Sequence, residues 1–231
     1  MPKKIVTLPK INTQKRSDLV YKILYEEIVR GKYPAGYKLD LNDIEQQLGI
    51  SRTPLKLALH RLELEGLVEI KAQYGTFVTT PTPEQIIEAF GVRIMIETFI
   101  IDDVIKKMTD SDFLGLSRII DHLNSLEESG IEDEVYIRLM EMDRDFHRSL
   151  VSLAGNKTIL KIYDNADVYP YITRVLFHVK ERDLKVAKKE HAVIIEELRK
   201  RDGEGVRQAI ILHCKRSEKS TLNALKYYRE N

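Results

Sequence analysis

The sequence predicts a mainly α protein in two parts, an N-terminal winged helix-turn-helix and a C-terminal all-α antiparallel bundle of six helices. Three observations carry this. Residues 41–78, LNDIEQQLGISRTPLKLALHRLELEGLVEIKAQYGTFV, read in turn as a short helix, a tight turn, a longer helix and two short strands. The stretch Thr79-Thr80-Pro81-Thr82-Pro83 gathers turn and breaker residues. Beyond it, helical periodicity runs to the end of the chain. A length of 231 residues suits two domains, placed here at 1–80 and 81–231.

The first helix is expected at Ser17–Arg30, with Val20, Ile23, Leu24 and Ile28 on one face and Gly31 closing it. Tyr33-Pro34-Ala35-Gly36 is a turn into the second helix, Leu41–Leu48. Gly49 supplies the next turn, because glycine tolerates positive φ. Ser51 is a good N-cap for the third helix, and Pro54 sits in its first turn, where a missing N–H breaks no helical bond. Leu55, Ala58, Leu59 and Leu62 recur at i, i+3, i+4 and i+7, one apolar stripe, and Gly66 ends the helix. Leu67–Lys71 and Thr76–Thr79 flank Gln73-Tyr74-Gly75 as a wing hairpin.

Opposite the apolar stripe lie Arg52, Lys56 and His60, spaced by four, with Ser51 and Thr53 beside Arg52. A recognition helix sets its N-terminal residues against base edges, and Arg or Lys can donate to guanine O6 and N7. The candidate DNA-binding residues are therefore Ser51, Arg52, Thr53 and Lys56, with Tyr74 and Gly75 at the wing tip. His60 faces DNA or solvent.

This ordered constellation resembles the DNA-binding domain of the GntR family of bacterial transcription regulators, whose pattern is close to SRTPVREALRRLEXEGLV. Ser51-Arg52-Thr53-Pro54-Leu55-Lys56-Leu57-Ala58-Leu59 follows it, with Lys56 where the family usually has Arg and Leu57 where it usually has Glu. Lys keeps the charge and loses the bidentate fork. Asn42 stands where some relatives carry a DNA-contacting Arg.

Charge agrees with this division. Residues 1–80 hold 13 Lys and Arg against 9 Asp and Glu, a net of +4, which leaves −3 for the rest of a chain whose total is +1. A mildly basic front suits phosphate contact. Cys214 is the single cysteine, which excludes a disulfide framework and a cysteine-based zinc motif. No apolar run approaches 18 residues, so no membrane span is expected. MPKKIVTLPKI lacks the apolar centre of a secretory signal. A soluble cytoplasmic protein is the simple reading.

The six bundle helices are expected at 84–108, 110–128, 132–153, 156–180, 183–201 and 203–228. Leu139, Asp143, His147 and Val151 follow one another at i+4 in the third, with Met140 and Leu150 flanking. His191 shares a stripe with Ile194, Ile195 and Leu198, and His213 shares one with Val206, Ile210 and Ser217. One carboxylate and three imidazoles thus point into one bundle. Two readings account for them: hydrogen-bonded core histidines, or ligands of a divalent cation such as Zn, Ni, Co or Mn.

The layout Asp143-x-x-Phe146-His147, Ala154-Gly155-Asn156, Glu190-His191 and His213 resembles the FCD domain, the helical effector-binding half of the FadR subfamily of GntR regulators. Together the two resemblances run from about Ser17 to Leu225. In metal-binding members one Asp and three His hold the ion, and they match Asp143, His147, His191 and His213. The resemblance implies a divalent transition metal, zinc first, and a small organic acid that completes its coordination. It also implies a cavity arginine at Arg93; Arg174 is a second candidate, and either could clamp a carboxylate with its planar fork. Tyr171 and Asn165 are weaker candidates for the pocket lining, and His122 and His178 receive no role.

The expected protein is a transcription regulator, by default a repressor, that binds a pseudo-palindromic double-stranded operator as a homodimer. A metal sensor, with the metal itself as signal, is the alternative. Three His and an Asp could also activate water, yet no general base or nucleophile accompanies them, so no catalytic residue is assigned and no enzyme is expected.

Overall fold

The structure, a computed structural model, describes residues 14–127, 133–166 and 181–230. Helix α1 (Gln14–Val29) buries Val20, Leu24 and Ile28 and leaves Ile23 half-buried. Strand β1 (Lys38–Leu39) precedes α2 (Leu41–Leu48), whose N-cap Asp40 accepts from the Asn42 and Asp43 N–H groups. Gly49 closes α2 at φ 60°, the left-handed conformation expected of it. Helix α3 (Arg52–Leu64) buries Leu55, Ala58, Leu59 and Leu62. Ser51 stands at its N-cap position, but its side chain makes no capping bond there.

The wing is β2 (Val68–Lys71) paired antiparallel with β3 (Gly75–Val78), in the register Val68 to Val78 and Lys71 to Gly75. Gln73 at φ 66° and Gly75 at φ 125° turn the hairpin. Strand β1, which periodicity did not reveal, pairs with the free edge of β3 to give the order β1-β3-β2. Two residues are too few to show an alternation.

Helix α4 (Pro83–Phe99) begins on a capping box: Thr82 Oγ1 accepts from the Gln85 N–H, and Gln85 Oε1 accepts from the Thr82 N–H. The breaker run expected to divide the chain is therefore also the signal that starts the bundle. The expected helix 84–108 is in fact two, α4 and α5 (Ile101–Lys107). The cause lies at Thr98, whose hydroxyl donates to the Ile94 carbonyl while its own carbonyl accepts from Arg207 Nε. Side chains inserted into a helical ladder bend or break it.

The other helices are α6 (Asp110–Glu127), α7 (Asp133–Leu153), α8 (Lys157–Ala166), α9 (Glu181–Lys200) and α10 (Gly203–Glu230). Among the described residues, seven helical segments thus replace the six expected, and residues 167–180 of the expected 156–180 helix lie outside them. Helix α4 packs on α8 and α10, α9 on α10, and α6 on α7.

Two large cores result. The second gathers the bundle, from Ile86 to Leu225. The first gathers the winged unit, yet it also takes in Tyr136, Leu139 and Met140 from the first turns of α7. Helix α7 therefore belongs to both cores. No described helix is long and apolar enough to cross a membrane.

Candidate functional site

Asp143 and His147 are one turn apart on α7 and so project from one face. His191 comes from α9 and His213 from α10. All four are buried, the three imidazoles completely. One potential ligand atom from each lies within 4.8 Å of all the others. His191 Nε2 is 3.1 Å from Asp143 Oδ1 and 3.1 Å from His147 Nε2, and the rings of His147 and His213 stack with centroids 4.9 Å apart. The spacing of stripes on three helices thus converges at one point.

Each of two imidazoles has a carboxylate behind it. His147 Nδ1 is 2.8 Å from Glu97 Oε2, and His213 Nδ1 is 2.9 Å from Glu190 Oε2. Burial pushes His147 down to about 4, with Arg93 adding to the shift. Burial, reinforced by His191 and His147, pushes His213 well below the ordinary histidine range. Both rings are then neutral at pH 7. The proton of each sits on Nδ1, facing its carboxylate, and the Nε2 lone pair faces the cluster. This is the arrangement that orients metal-bound histidines and raises their basicity.

Glu97 is itself fully buried. Burial alone would raise its carboxyl, but the charges beside it hold it down to about 2. His147, whose Nδ1 faces one carboxylate oxygen, lowers it most, and Arg93 follows, its Nε donating to Glu97 Oε1 at 2.7 Å. Tyr163 Oη donates to the same oxygen at 3.0 Å. Glu190 is gripped by Arg216 through Nε at 3.0 Å and Nη2 at 2.8 Å.

The donor set fits a divalent cation. Nδ1 of His191 and Nε2 of His213 are buried without a hydrogen-bond partner among the described residues. Such orphans cost roughly 1–3 kcal/mol each. A cation in the cluster would take the lone pair of His213 Nε2 and the charge of Asp143. Imidazole nitrogen and carboxylate oxygen suit zinc and its neighbours.

Sequence reasoning missed Glu97, Glu190, Tyr163 and Arg216. Arg93 and Glu97 did leave a signal, an i, i+4 ion pair inside the otherwise apolar run 89–97 of α4. Arg93, expected as a carboxylate clamp, lies buried behind the cluster with one nitrogen committed to Glu97. Arg174, Tyr171 and His178 lie outside the described residues, whereas Asn165 and His122 are exposed.

At the other end of the molecule, Ser51, Arg52, Thr53 and Lys56 are exposed along the outer face of α3. His60 is also exposed there and meets Glu63 at 3.3 Å. Tyr74, 72% exposed, marks the wing tip beside Gly75. This face has the order and polarity of a major-groove reader.

Residues 16–78 match the description of bacterial regulatory proteins of the gntR family. Residues 88–216, more than half of the chain, match the FCD domain. The chain belongs to the GntR family, with a C-terminal FCD domain. Its relatives are regulators of transcription rather than enzymes. They include YdhC of Bacillus subtilis, an uncharacterized HTH-type regulator 23% identical over 211 residues, which span 91% of this chain and 93% of YdhC. The HTH-type transcriptional repressor RspR of Escherichia coli is 24% identical over 213 residues, 90% of each chain. Among solved structures, a GntR regulator from Rhodococcus sp. RHA1 superposes with a TM-score of 0.74 at 21% identity, over 90% of this chain and 98% of that one. A metal-free FCD domain aligns at 25% identity with a TM-score of 0.51, over 64% of this GntR chain and 99% of its own length.

Proposed function

We propose that this GntR regulator is a repressor whose operator binding is controlled by a small organic acid held at a divalent metal. Asp143, His147, His191 and His213 hold the metal, zinc first among nickel, cobalt and manganese. The observation that carries this is the convergence of four buried donors within 4.8 Å, one of them an imidazole nitrogen with no hydrogen-bond partner among the described residues. Bound there, the metal supplies a Lewis-acidic centre for a carboxylate. Glu97 and Glu190 fix the tautomers of His147 and His213, and Arg93 keeps Glu97 ionised while adding positive charge beside the cluster. Arg93 and, beyond the described residues, Arg174 are the side chains assigned to the acid.

Residues 1–80 form the DNA-binding part and residues 81–231 the metal- and effector-binding part. Reading a pseudo-palindromic operator calls for a homodimer, because a two-fold protein matches a two-fold site. The sign of regulation leans on RspR, a repressor of similar length and organisation.

Elemental analysis tests the centre. The purified protein is expected to carry about one divalent ion per chain, and a His191→Ala, His213→Ala double variant none. No ion in the wild type after reconstitution would sink the four-ligand assignment. DNA affinity measured on metal-free, metal-loaded and acid-supplemented protein then separates an acid sensor from a metal sensor. A response to metal alone, indifferent to a panel of hydroxy and dicarboxylic acids, would make the metal the signal.

A further inference from the structure

Arg52 is the first residue of α3, and it does not stand alone on the exposed face. Its Nη1 is 3.1 Å from Asn42 Oδ1 and 3.1 Å from Glu45 Oε1. An Nη nitrogen carries two hydrogens, so both are engaged. The two acceptors are neighbours at i, i+3 on α2. That helix is a firm base, capped by Asp40 and Gly49 and anchored by buried Ile44. What remains of the guanidinium is its other edge, the Nε and Nη2 fork. The same edge grips carboxylates elsewhere in the molecule: Arg148 on Asp164, Arg199 on Glu196 and Arg216 on Glu190. Two parallel N–H donors of this kind match the O6 and N7 acceptors of guanine.

We infer that Asn42 and Glu45 are positioning residues that hold Arg52 by its Nη1 and present its Nε and Nη2 fork to a guanine in the operator. The inference rests on α3 being the DNA-reading helix, and it adds what sets the aim of that reading. A partly exposed ion pair contributes little to stability. A carboxylate beside DNA repels phosphate and weakens binding to any sequence. Neither cost applies to discrimination. Holding a rotamer-rich side chain in its bound geometry reduces the entropy lost on docking, and that gain goes to the base whose acceptors match the held fork.

The competing accounts are that the trio only staples α2 to α3, or that Glu45 masks Arg52 from DNA. Selection from a random duplex library with the full-length protein distinguishes them. The wild type is expected to enrich a motif with one guanine per half-site that Arg52→Ala no longer requires. In an Asn42→Ala, Glu45→Ala double variant, preference for that guanine over adenine is expected to fall about tenfold, within the range for one bidentate contact. Affinity for random-sequence duplex is expected to hold or rise, because a negative charge has gone. Glu45→Gln keeps an acceptor oxygen and is expected to keep most of the preference. Thermal melting checks that the variants are folded.

Undiminished preference in the double variant would overturn the positioning role in favour of a staple. Tighter binding to the guanine site with sharpened preference would overturn it in favour of masking. Enrichment of no motif by the wild type would remove the DNA-reading role of α3 itself, a different failure and one visible before any variant is made.

Discussion

Two Arg–Glu pairs, one in each part of the chain, show what environment does to the same chemistry. Arg52 and Glu45 meet at 3.1 Å with 45% and 23% of their side chains exposed. Arg93 and Glu97 meet at 2.7 Å with 2% and 0% exposed. Water screens the first pair, so it steers a side chain without stabilising much. The second was taken out of water at a cost, and it survives because every member has a partner: Arg93 and Tyr163 on one oxygen of Glu97, His147 on the other. An exposed pair can be edited cheaply; a buried one fails as a unit. The exposed cluster at the start of α3, proposed to face DNA, is built the first way, and the buried Asp–His cluster, proposed to hold a metal, the second. A reading surface must offer its donors to a partner, whereas a metal centre must keep its lone pairs dry and aimed.

The sharpest break of that contrast is Glu97→Ala. It leaves the Arg93 charge buried without its carboxylate, and roughly 3–5 kcal/mol of stability is expected to go, read from urea unfolding. Glu45→Ala, measured the same way, is expected to be nearly silent. Similar losses from both would end the comparison.

Leu139→Ala probes the helix the two regions share. This residue is 2% exposed and packs in the winged-unit core. A cost of about 2–5 kcal/mol is expected, with hydrogen exchange rising in α1 and α3 although Leu139 lies in the bundle segment. Exchange rising only in the bundle would show that α7 does not support the winged unit.

Chelation sharpens the contrast further. A metal that binds only the folded chain, at a hundred times its Kd, stabilises by about 2.7 kcal/mol. Removing it is expected to lower Tm in the wild type and leave the His191→Ala, His213→Ala variant unmoved. Glu97→Gln, which keeps the shape and removes the charge behind His147, is expected to weaken metal binding about 10–100-fold. Equal affinity in a competition assay would show that this carboxylate does not tune the centre.

The smallest structural effect is expected at Lys56→Ala, on the open face. Unfolding should not move, while the slope of log affinity against log salt falls by about 1. A change in melting with no change in salt slope would place Lys56 in the fold rather than at the phosphates.

Much of this was legible in the chain. The apolar stripes of α1 and α3, the glycine at 49 and the breaker run before α4 are local signals, set by residues within a turn or two of one another. The i+4 step from Asp143 to His147 is equally local, and it placed two candidate ligands on one face. Other features came from tertiary contact. Strand β1 exists because β3 offers it an edge. The break at Ile100 follows from Arg207 reaching the Thr98 carbonyl across 109 positions of sequence. Glu97 stands 50 positions from the His147 it orients.

By itself, then, the sequence determined which segments are helical, which faces are apolar and which residues could read DNA or hold a metal, because those properties depend on neighbours in the chain. Only the tertiary structure decided that three helices bring four donors to one point, that Glu97 and Glu190 stand behind two of them, and that α7 joins the cores of both parts. Side chains far apart in sequence acquire a distance, and with it an interaction energy, only when packing puts them together.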